Sequence, residues 1–384
     1  MAEVANPAIL WAMFLALKEM KRAKLRFGLL SGAVGLLVFL ILFQQALLGG
    51  LVNQFIGALK HQSAEVLVYN DQARKNLDGT VILPDQLAAI GEVPGIASVS
   101  PLGEGTFTVT AGGEVRDAVI FGYQLSGAGA PTTLIDGRLP KTVGEAVASS
   151  KDRADGFDIG EVVQVQPDGV FITVVGVASD INYSVQPVLF TAFETFQQAK
   201  SSRNPDARVV LPNAAAVQLE PGVTPEEAVR RINDRVEGVE ALTRQQAVDG
   251  SPGVSSVRSS FAVILGLFYL VVPLVTGLFF LIVTFQKASA LTLLRAIGAR
   301  ASTLVKALLV QVVFVMVLGS VIAFGLYALS IQGVKNLGVQ VELMPVLVTS
   351  AVVLVLALVT SLFAVRRVLR LDPLSATTGA GVNV

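Results

Sequence analysis

The 384-residue chain has no cysteine and a single histidine, His61. The first absence removes disulfides, thiolate metal sites and thiol nucleophiles together, and it is compatible with a domain outside the cytoplasm. The second leaves one residue of the commonest general-base type, with no metal-ligand spacing and no nucleophile elbow to accompany it, so the chain is expected to have no catalytic site of its own. Net charge is missing too. The 29 Lys and Arg balance 29 Asp and Glu, so no overall basic field points to nucleic acid, and charge is informative only through its placement. The pattern G-x-x-x-x-G-K-[ST] occurs nowhere, which leaves no backbone cradle for nucleotide phosphates.

What the chain does have is apolar length. Hydrophobic residues make up 53% of it, more than a soluble protein needs. A bilayer core requires about 20 mostly apolar helical residues, because every backbone polar group must be satisfied within the segment. That criterion predicts four spans, over 27–51, 259–286, 304–330 and 345–365. Lys18, Lys21, Arg22, Lys24 and Arg26 precede the first span. Lys287, Arg295, Arg300 and Lys306 lie around the junction of the second and third, and Arg366, Arg367 and Arg370 follow the fourth. Positive charge collects on the cytoplasmic side, which places 1–26, 287–303 and 366–384 inside, with both termini, and 52–258 and the turn 331–344 outside. The first span is too long, and its basic lead too extended, for a cleaved signal peptide; it reads as an anchor. Leu10, Met13, Phe14, Leu17 and Met20 recur at helical spacing against Lys18, Glu19, Lys21 and Arg22. They describe an amphipathic helix along the cytoplasmic interface, acting either as a topogenic anchor or in gating and partner docking.

Between 52 and 258 the pattern changes to short β-branched runs punctuated by Gly, Pro and Asp, at 64–69, 96–99, 106–110, 118–123, 162–166 and 171–177. Helices intervene at 84–90, opened by Pro84, and from Thr224-Pro-Glu-Glu227 to about Val236, opened by a capping box. The fold class expected is therefore membrane α-helical, with a large extracytoplasmic α+β domain inserted between the first and second spans, in two lobes of which the second covers about 205–250.

Several segments carry a family resemblance. Leu291-Thr-Leu-Leu-Arg-Ala-Ile-Gly-Ala299 resembles the "lLRAiGas" segment, and Ala364-Val-Arg-Arg-Val-Leu-Arg-Leu-Asp-Pro-Leu-Ser-Ala376 the "a.r.arldPaeal" ending, of the permease subunits of MacB/FtsX-type (type VII) ABC transporters. Val93-Pro-Gly-Ile-Ala-Ser-Val-Ser-Pro101, Asp136-Gly-Arg-Leu-Pro140, Gly144-Glu145 and Thr173-Val-Val-Gly-Val177 follow the order of that family's outer core domain. The match covers nearly the whole chain, and its specificity lies in the joint order, with one span before the domain and three after it. One departure is Lys287-Ala-Ser-Ala290, where the family often has an acidic residue just before the "LRAiG" run.

The resemblance implies a homodimer in the plasma membrane working with two copies of a separate ABC ATPase, which binds the ATP and Mg, while this chain binds no cofactor itself. It also implies that 290–299 forms the coupling helix that docks on the ATPase, through Leu291, Leu294, Arg295, Ala296, Ile297 and Gly298. By spacing, Leu291, Leu294 and Ile297 share one face and Arg295 projects from another. Nucleotide closure would then reach the outer domain through stalks at about 52–62 and 253–260. Gly28 and Gly32, with Gly35 one turn further on, suggest a tight helix contact. Pro273 inside the second span should bend it as a hinge. The intramembrane polar groups Gln44, Gln45 and Gln311 are too few to line an aqueous path.

Three functions are compatible with these features. The first is export of a hydrophobic or amphipathic molecule from the membrane or its outer face; the second is transmembrane signalling to an extracytoplasmic enzyme, as in the cell-division members; the third is a non-ABC assembly or sensor protein. The large two-lobed domain favours export. A periplasmic adaptor is a further partner in some such systems, besides membrane lipids. Haem is one cargo to consider, because His61 with Glu65 and Tyr69 at i+4 and i+8 would share a helix face near the outer membrane surface. Asp136 and Gly137 read as a turn between strands, and Arg138 and Glu145 as surface charges.

Overall fold

The computed structural model describes residue 18 and residues 20–204, 209–286, 301–333 and 343–369. The chain divides into two compact units. One comprises 1–47, 260–335 and 339–384, and the other 48–259 with 336–338.

The first unit is helical. Helix α1 (Lys24–Lys60) begins in it, and α6 (Val254–Gln286), α7 (Ala301–Gly333) and α8 (Leu343–Leu369) supply the rest. Among the described residues, three segments are long and apolar enough to cross a bilayer by length and composition: Lys24–Lys60, Val254–Gln286 and Val305–Ser330. The four spans expected from sequence are thus three by this measure. In α8 the described apolar stretch runs only from Leu347 to Phe363, short of the length required. Val34, Val38, Ile41, Phe280, Val312 and Val353 are buried together in this unit, so α1, α6, α7 and α8 share one packed seam. Large apolar side chains such as Val263, Leu270, Leu329 and Phe363 remain exposed on the outside, as lipid-facing helices require.

The second unit is built on a ten-stranded sheet: β1 (Val66–Asn70), β2 (Ile96–Ala111), β3 (Glu114–Tyr123), β4 (Leu134–Gly137), β5 (Glu145–Ser149), β6 (Val162–Val165), β7 (Phe171–Ala178), β8 (Val188–Ala192), β9 (Ala214–Leu219) and β10 (Val239–Thr243). Its order is β10-β1-β9-β2-β3-β8-β5-β7-β4, and β6 pairs with both β2 and β7. That double pairing closes a ring through β2, β3, β8, β5, β7 and β6, so the mixed domain expected from sequence contains a barrel-like sheet that the strand pattern did not indicate. Phe107, Val109 and Ile120 of the ring are buried in one cluster with Phe157, Val163, Ile172 and Leu189.

The strand β2 is the seam between the two halves of this unit. Its first part pairs with β9, from Ile96 opposite Leu219 to Leu102 opposite Ala214, and its second part pairs with β3, from Leu102 opposite Tyr123 to Ala111 opposite Glu114. The runs 96–99 and 106–110 are consequently one strand of 16 residues. The segment expected to form a lobe at about 205–250 supplies β9, α4 (Pro225–Arg235), β10 and α5 (Arg244–Gly250), but β1 is inserted between β9 and β10, and α2 (Pro84–Gly91) packs near β2. Ile90, Ile96, Val217, Ala228 and Ile232 form that half's core. Helix α4 begins as expected, with the Thr224 hydroxyl accepting from the Glu227 amide, while the Glu227 carboxylate turns to Arg231. Helix α3 (Phe193–Arg203) completes the unit.

Candidate mechanical joint and helix contacts

Helix α1 is not regular to its end. Ile56 leaves the helical region, at φ −142° and ψ 18°, and a non-helical residue there spoils the bonds that would span it. The backbone groups so released bond to the loop between β7 and β8. Ala58 N–H donates to the Asn182 carbonyl at 3.1 Å, Ser184 N–H to the Phe55 carbonyl at 2.9 Å and Val185 N–H to the Gln54 carbonyl at 2.9 Å. In a regular helix Gln54 and Ala58 would bond to each other; here both bond to the loop.

Close approach makes this exchange feasible. Gly57 lies against the loop, and a β-carbon on it would stand 2.2 Å from the Asp180 carbonyl oxygen. The loop is held in an uncommon shape, with left-handed φ at Asp180, Ser184 and Val185 (56°, 51° and 62°). For the β-branched Val185 that conformation is costly, and the backbone bonds to α1 help to hold it. From the other side, Asn182 accepts from the Ser149 hydroxyl at 3.0 Å and donates to the Asp152 carboxylate at 3.0 Å. Burial raises the pKa of that carboxylate above its ordinary value.

Around the joint, Val52, Ile56 and Leu59 of α1 are buried with Tyr69, Phe121, Tyr183 and Phe190. Tyr183 meets Phe121 edge-on at 5.3 Å between ring centres, and Phe121 stacks on Phe190 at 5.1 Å. Val254, at the start of α6, joins the same core, and Arg258 pairs with Asp249. The two segments read as stalks are therefore ends of long helices whose apolar side chains are rooted in the interior of the outer domain.

The helical unit has its own contacts. Gly28 and Gly32 have open space where a β-carbon would project. Of the three glycines named from their spacing, Gly35 makes the close helix crossing, where a β-carbon would meet the Gly319 carbonyl oxygen and Ile322 at 3.0 Å. Pro273 lies inside α6, and its carbonyl accepts from the Thr360 hydroxyl of α8 at 3.1 Å. Gly277, one turn on, leaves room for Thr360, which would be 3.3 Å from a β-carbon there. Gln45, Tyr269 and Thr349 close a polar triangle between α1, α6 and α8, at 3.3, 3.5 and 3.1 Å. Gln44 donates to the Phe261 carbonyl at 3.1 Å. These two glutamines are used to join helices, each satisfying a polar group that lipid would leave unpaired.

Leu291, Leu294, Arg295, Ala296, Ile297 and Gly298 lie outside the described residues. His61, Glu65 and Tyr69 do not share a helix face, because α1 ends at Lys60 and Glu65 and Tyr69 belong to the extended chain at β1. The Glu65 carboxylate accepts from the Leu219 amide at 3.0 Å, and Tyr69 is buried in the core. The His61 carbonyl accepts from the amide and hydroxyl of Thr132. Burial, with Lys60 next in weight, lowers its imidazole pKa, and Nε2 is enclosed without a hydrogen-bond partner among the described residues.

Asp136 and Gly137 are in strand β4 rather than a turn, and Arg138 and Glu145 form a two-pronged ion pair at 2.7 and 2.5 Å. Glu145 also accepts from the Lys141 amide, and its pKa falls to about 2, the Arg138 guanidinium being the main cause. The joint loop, Gly57, Gly319 and Thr360 were missed at the sequence level. Gly57 and Gly319 were visible only as two of 35 glycines, with nothing local to set them apart.

Comparison with known proteins covers both units. A family model described as "MacB-like periplasmic core domain" matches residues 29–235, and one described as "FtsX-like permease C-terminal" matches 262–373. The chain is similar to a "Putative hemin transport system permease protein HrtB" of Staphylococcus haemolyticus, 21% identical over 371 residues that cover 96% of this chain and 99% of the relative. It is also similar to an uncharacterized ABC transporter permease of Mycobacterium tuberculosis, 24% identical with the same coverage. Among solved structures, the periplasmic region of MacB from Actinobacillus actinomycetemcomitans matches at 14% identity and a TM-score of 0.36, over 49% of this chain and 92% of that one.

Proposed function

Because the chain belongs to the MacB/FtsX family of ABC transporter permeases, a membrane protein with an extracytoplasmic domain and an ATPase partner, we propose that it is a mechanotransmission subunit. On this reading two copies pair and two ATPase subunits bind them from the cytoplasm. The fourth span lies in α8, and both termini are cytoplasmic, as the basic residues beside the spans require. Nucleotide closure moves the coupling helix at 290–299, and the outer domain moves with α1 and α6 to expel a hydrophobic or amphipathic molecule from the membrane or its outer face. A periplasmic adaptor is a further partner where the envelope has a second membrane.

The observation that supports this reading is the joint at Ile56. A helix that merely anchored a domain could end in an exposed linker. Instead α1 continues to Lys60, buries Ile56 and Leu59 in the outer core and exchanges three backbone hydrogen bonds with 182–185. A displacement along this helix meets packed side chains and backbone bonds, and close-packed interiors transmit strain.

Haem is the second reading of the cargo, favoured by the names of the staphylococcal relatives. Signalling to an extracytoplasmic enzyme is the alternative output of the same motion. The test is the complex reconstituted in lipid with its ATPase. Leu294→Glu places a charge in the docking face and should abolish stimulation of ATP hydrolysis by hydrophobic cargo while leaving the outer domain folded. Wild-type stimulation in that variant overturns the coupling assignment, and activation of a cell-wall hydrolase without cargo-stimulated turnover replaces export by signalling.

A further inference from the structure

At the N-terminal end of α1 a groove of about 690 Å³ opens between α1 and α6, and its two halves differ in chemistry. Arg22, Lys24 and Arg26 line one end. The remainder is apolar, from Leu25, Leu29 and Ala33 on α1 and from Val275 and Phe279 on α6. Arg22, Lys24 and Arg26 are exposed, and among the described residues no carboxylate pairs with them. Leu25 and Leu29 are 78% and 67% exposed, so the apolar half is open to whatever surrounds the helix.

We propose that this groove is a binding site for an anionic phospholipid, with the phosphate between the three cations and an acyl chain along the apolar wall. Two features argue for a lipid over a soluble phosphate or a second protein. The part of this lining on α1, 24–33, rises roughly 14 Å along the helix axis, enough to accept the upper part of an acyl chain below a headgroup at Arg22 to Arg26. The order of the lining, cations first and only apolar groups deeper along the helix, repeats the order of a phospholipid from phosphate to tail. Basic clusters at a membrane-helix end favour anionic over zwitterionic headgroups by charge. The proposal rests on α1 and α6 lying in lipid, and it is independent of which molecule the complex exports.

The experiment uses the full chain, purified in mild detergent from membranes containing equal phosphatidylglycerol and phosphatidylcholine, with retained lipid measured by native mass spectrometry. Phosphatidylglycerol should be retained over phosphatidylcholine by on the order of tenfold. The double variant Arg22→Gln, Arg26→Gln should lose that preference. Ala33→Phe, which fills the apolar wall and leaves the charges untouched, should lower total retention, and it guards against a charge variant that fails to insert. Equal retention of both lipids by the wild type overturns the proposal. So does displacement of the lipid by glycerol phosphate alone, which would make the site one for a soluble anion, or a cross-link through Leu29→Cys between two copies formed at the expense of bound lipid, which would make the groove a dimer contact.

Discussion

Gly57 faces the carbonyl oxygen of Asp180 with no room for a side chain: a β-carbon would stand 2.2 Å from that oxygen and 3.1 Å from the Asn182 carbonyl oxygen. Both atoms are backbone, so the contact cannot be relieved by a rotamer change. Gly57→Ala should push the 180–185 loop away and weaken its bonds to Gln54, Phe55 and Ala58, at a cost of about 1–3 kcal/mol, as overpacking usually exacts. Gly49→Ala is the control, since nothing lies within 4 Å of its β-carbon position and alanine suits a helix. Hydrogen exchange on the reconstituted complex reads the outcome: faster exchange at Ser184 and Val185, with lower ATPase stimulation, in Gly57→Ala alone. Unchanged protection there would detach the loop from the stalk.

Glu104 lies buried on β2. It is 1% exposed, and burial first, then the neighbouring Asp78 carboxyl, raise its pKa to about 9. The folded state therefore holds a proton that the unfolded chain gives up near pH 4.5. With the folded pKa above the unfolded one, this group's contribution is complete below about pH 4.5 and is lost as pH rises through about 9. Stability of the wild type should slope downward across that window, and Glu104→Gln should flatten the slope while keeping the shape of the side chain. Thermal unfolding of the two proteins at a series of pH values compares them directly, and parallel curves would show that Glu104 is ionised in the fold.

In the helical unit, Gly35 and Gly319 should behave unlike Gly28. A β-carbon on Gly319 would lie 3.0 Å from Val34 and 3.3 Å from the backbone of Ser31 and Gly35, so Gly319→Leu must separate α1 from α7. We expect Gly319→Leu to lower the melting temperature of the detergent-solubilised chain sharply, with Gly28→Leu close to wild type. If Gly28→Leu proves equally damaging to a monomeric preparation, the chain packs differently around 28. If it disrupts only dimers, the open face at Gly28 is where the second copy sits.

The sequence revealed the parts governed by local rules and left out those governed by encounters between distant segments. Thr224 and Pro84 announced their helices because capping acts over three or four residues. Apolar length marked the long helices for the same reason. The barrel closure did not show, since it depends on four-residue β6 meeting β2 and β7, which no run of residues encodes on its own. Of Gly28, Gly32 and Gly35, which share a small-residue spacing, Gly28 and Gly32 face open space and Gly35 makes the close contact, with a glycine 284 positions later in the chain that local spacing could not single out. Helical spacing misled at His61 because the periodicity was carried past Lys60, where the chain turns into β1. The coupling segment at 290–299 was legible through family resemblance and lies outside the described residues.

His61 is the only histidine, so any imidazole ligation of a haem by this chain must use it. Nδ1 and Nε2 are the two nitrogens able to bind iron. Nε2 is enclosed, and the lowered pKa, set by burial first, keeps the ring neutral near pH 7, a state suited to a ligand but with Nε2 turned away from any iron outside. The partners that a shared helix face would have provided are elsewhere, with the Glu65 carboxylate on the Leu219 amide and the Tyr69 ring inside the core. Haem titrated into the purified chain should therefore give the same absorption spectrum and affinity for the wild type and for His61→Ala. A Soret shift lost in His61→Ala would show that the segment after Lys60 opens to bind iron, and would make the end of α1 a cargo site as well as a joint.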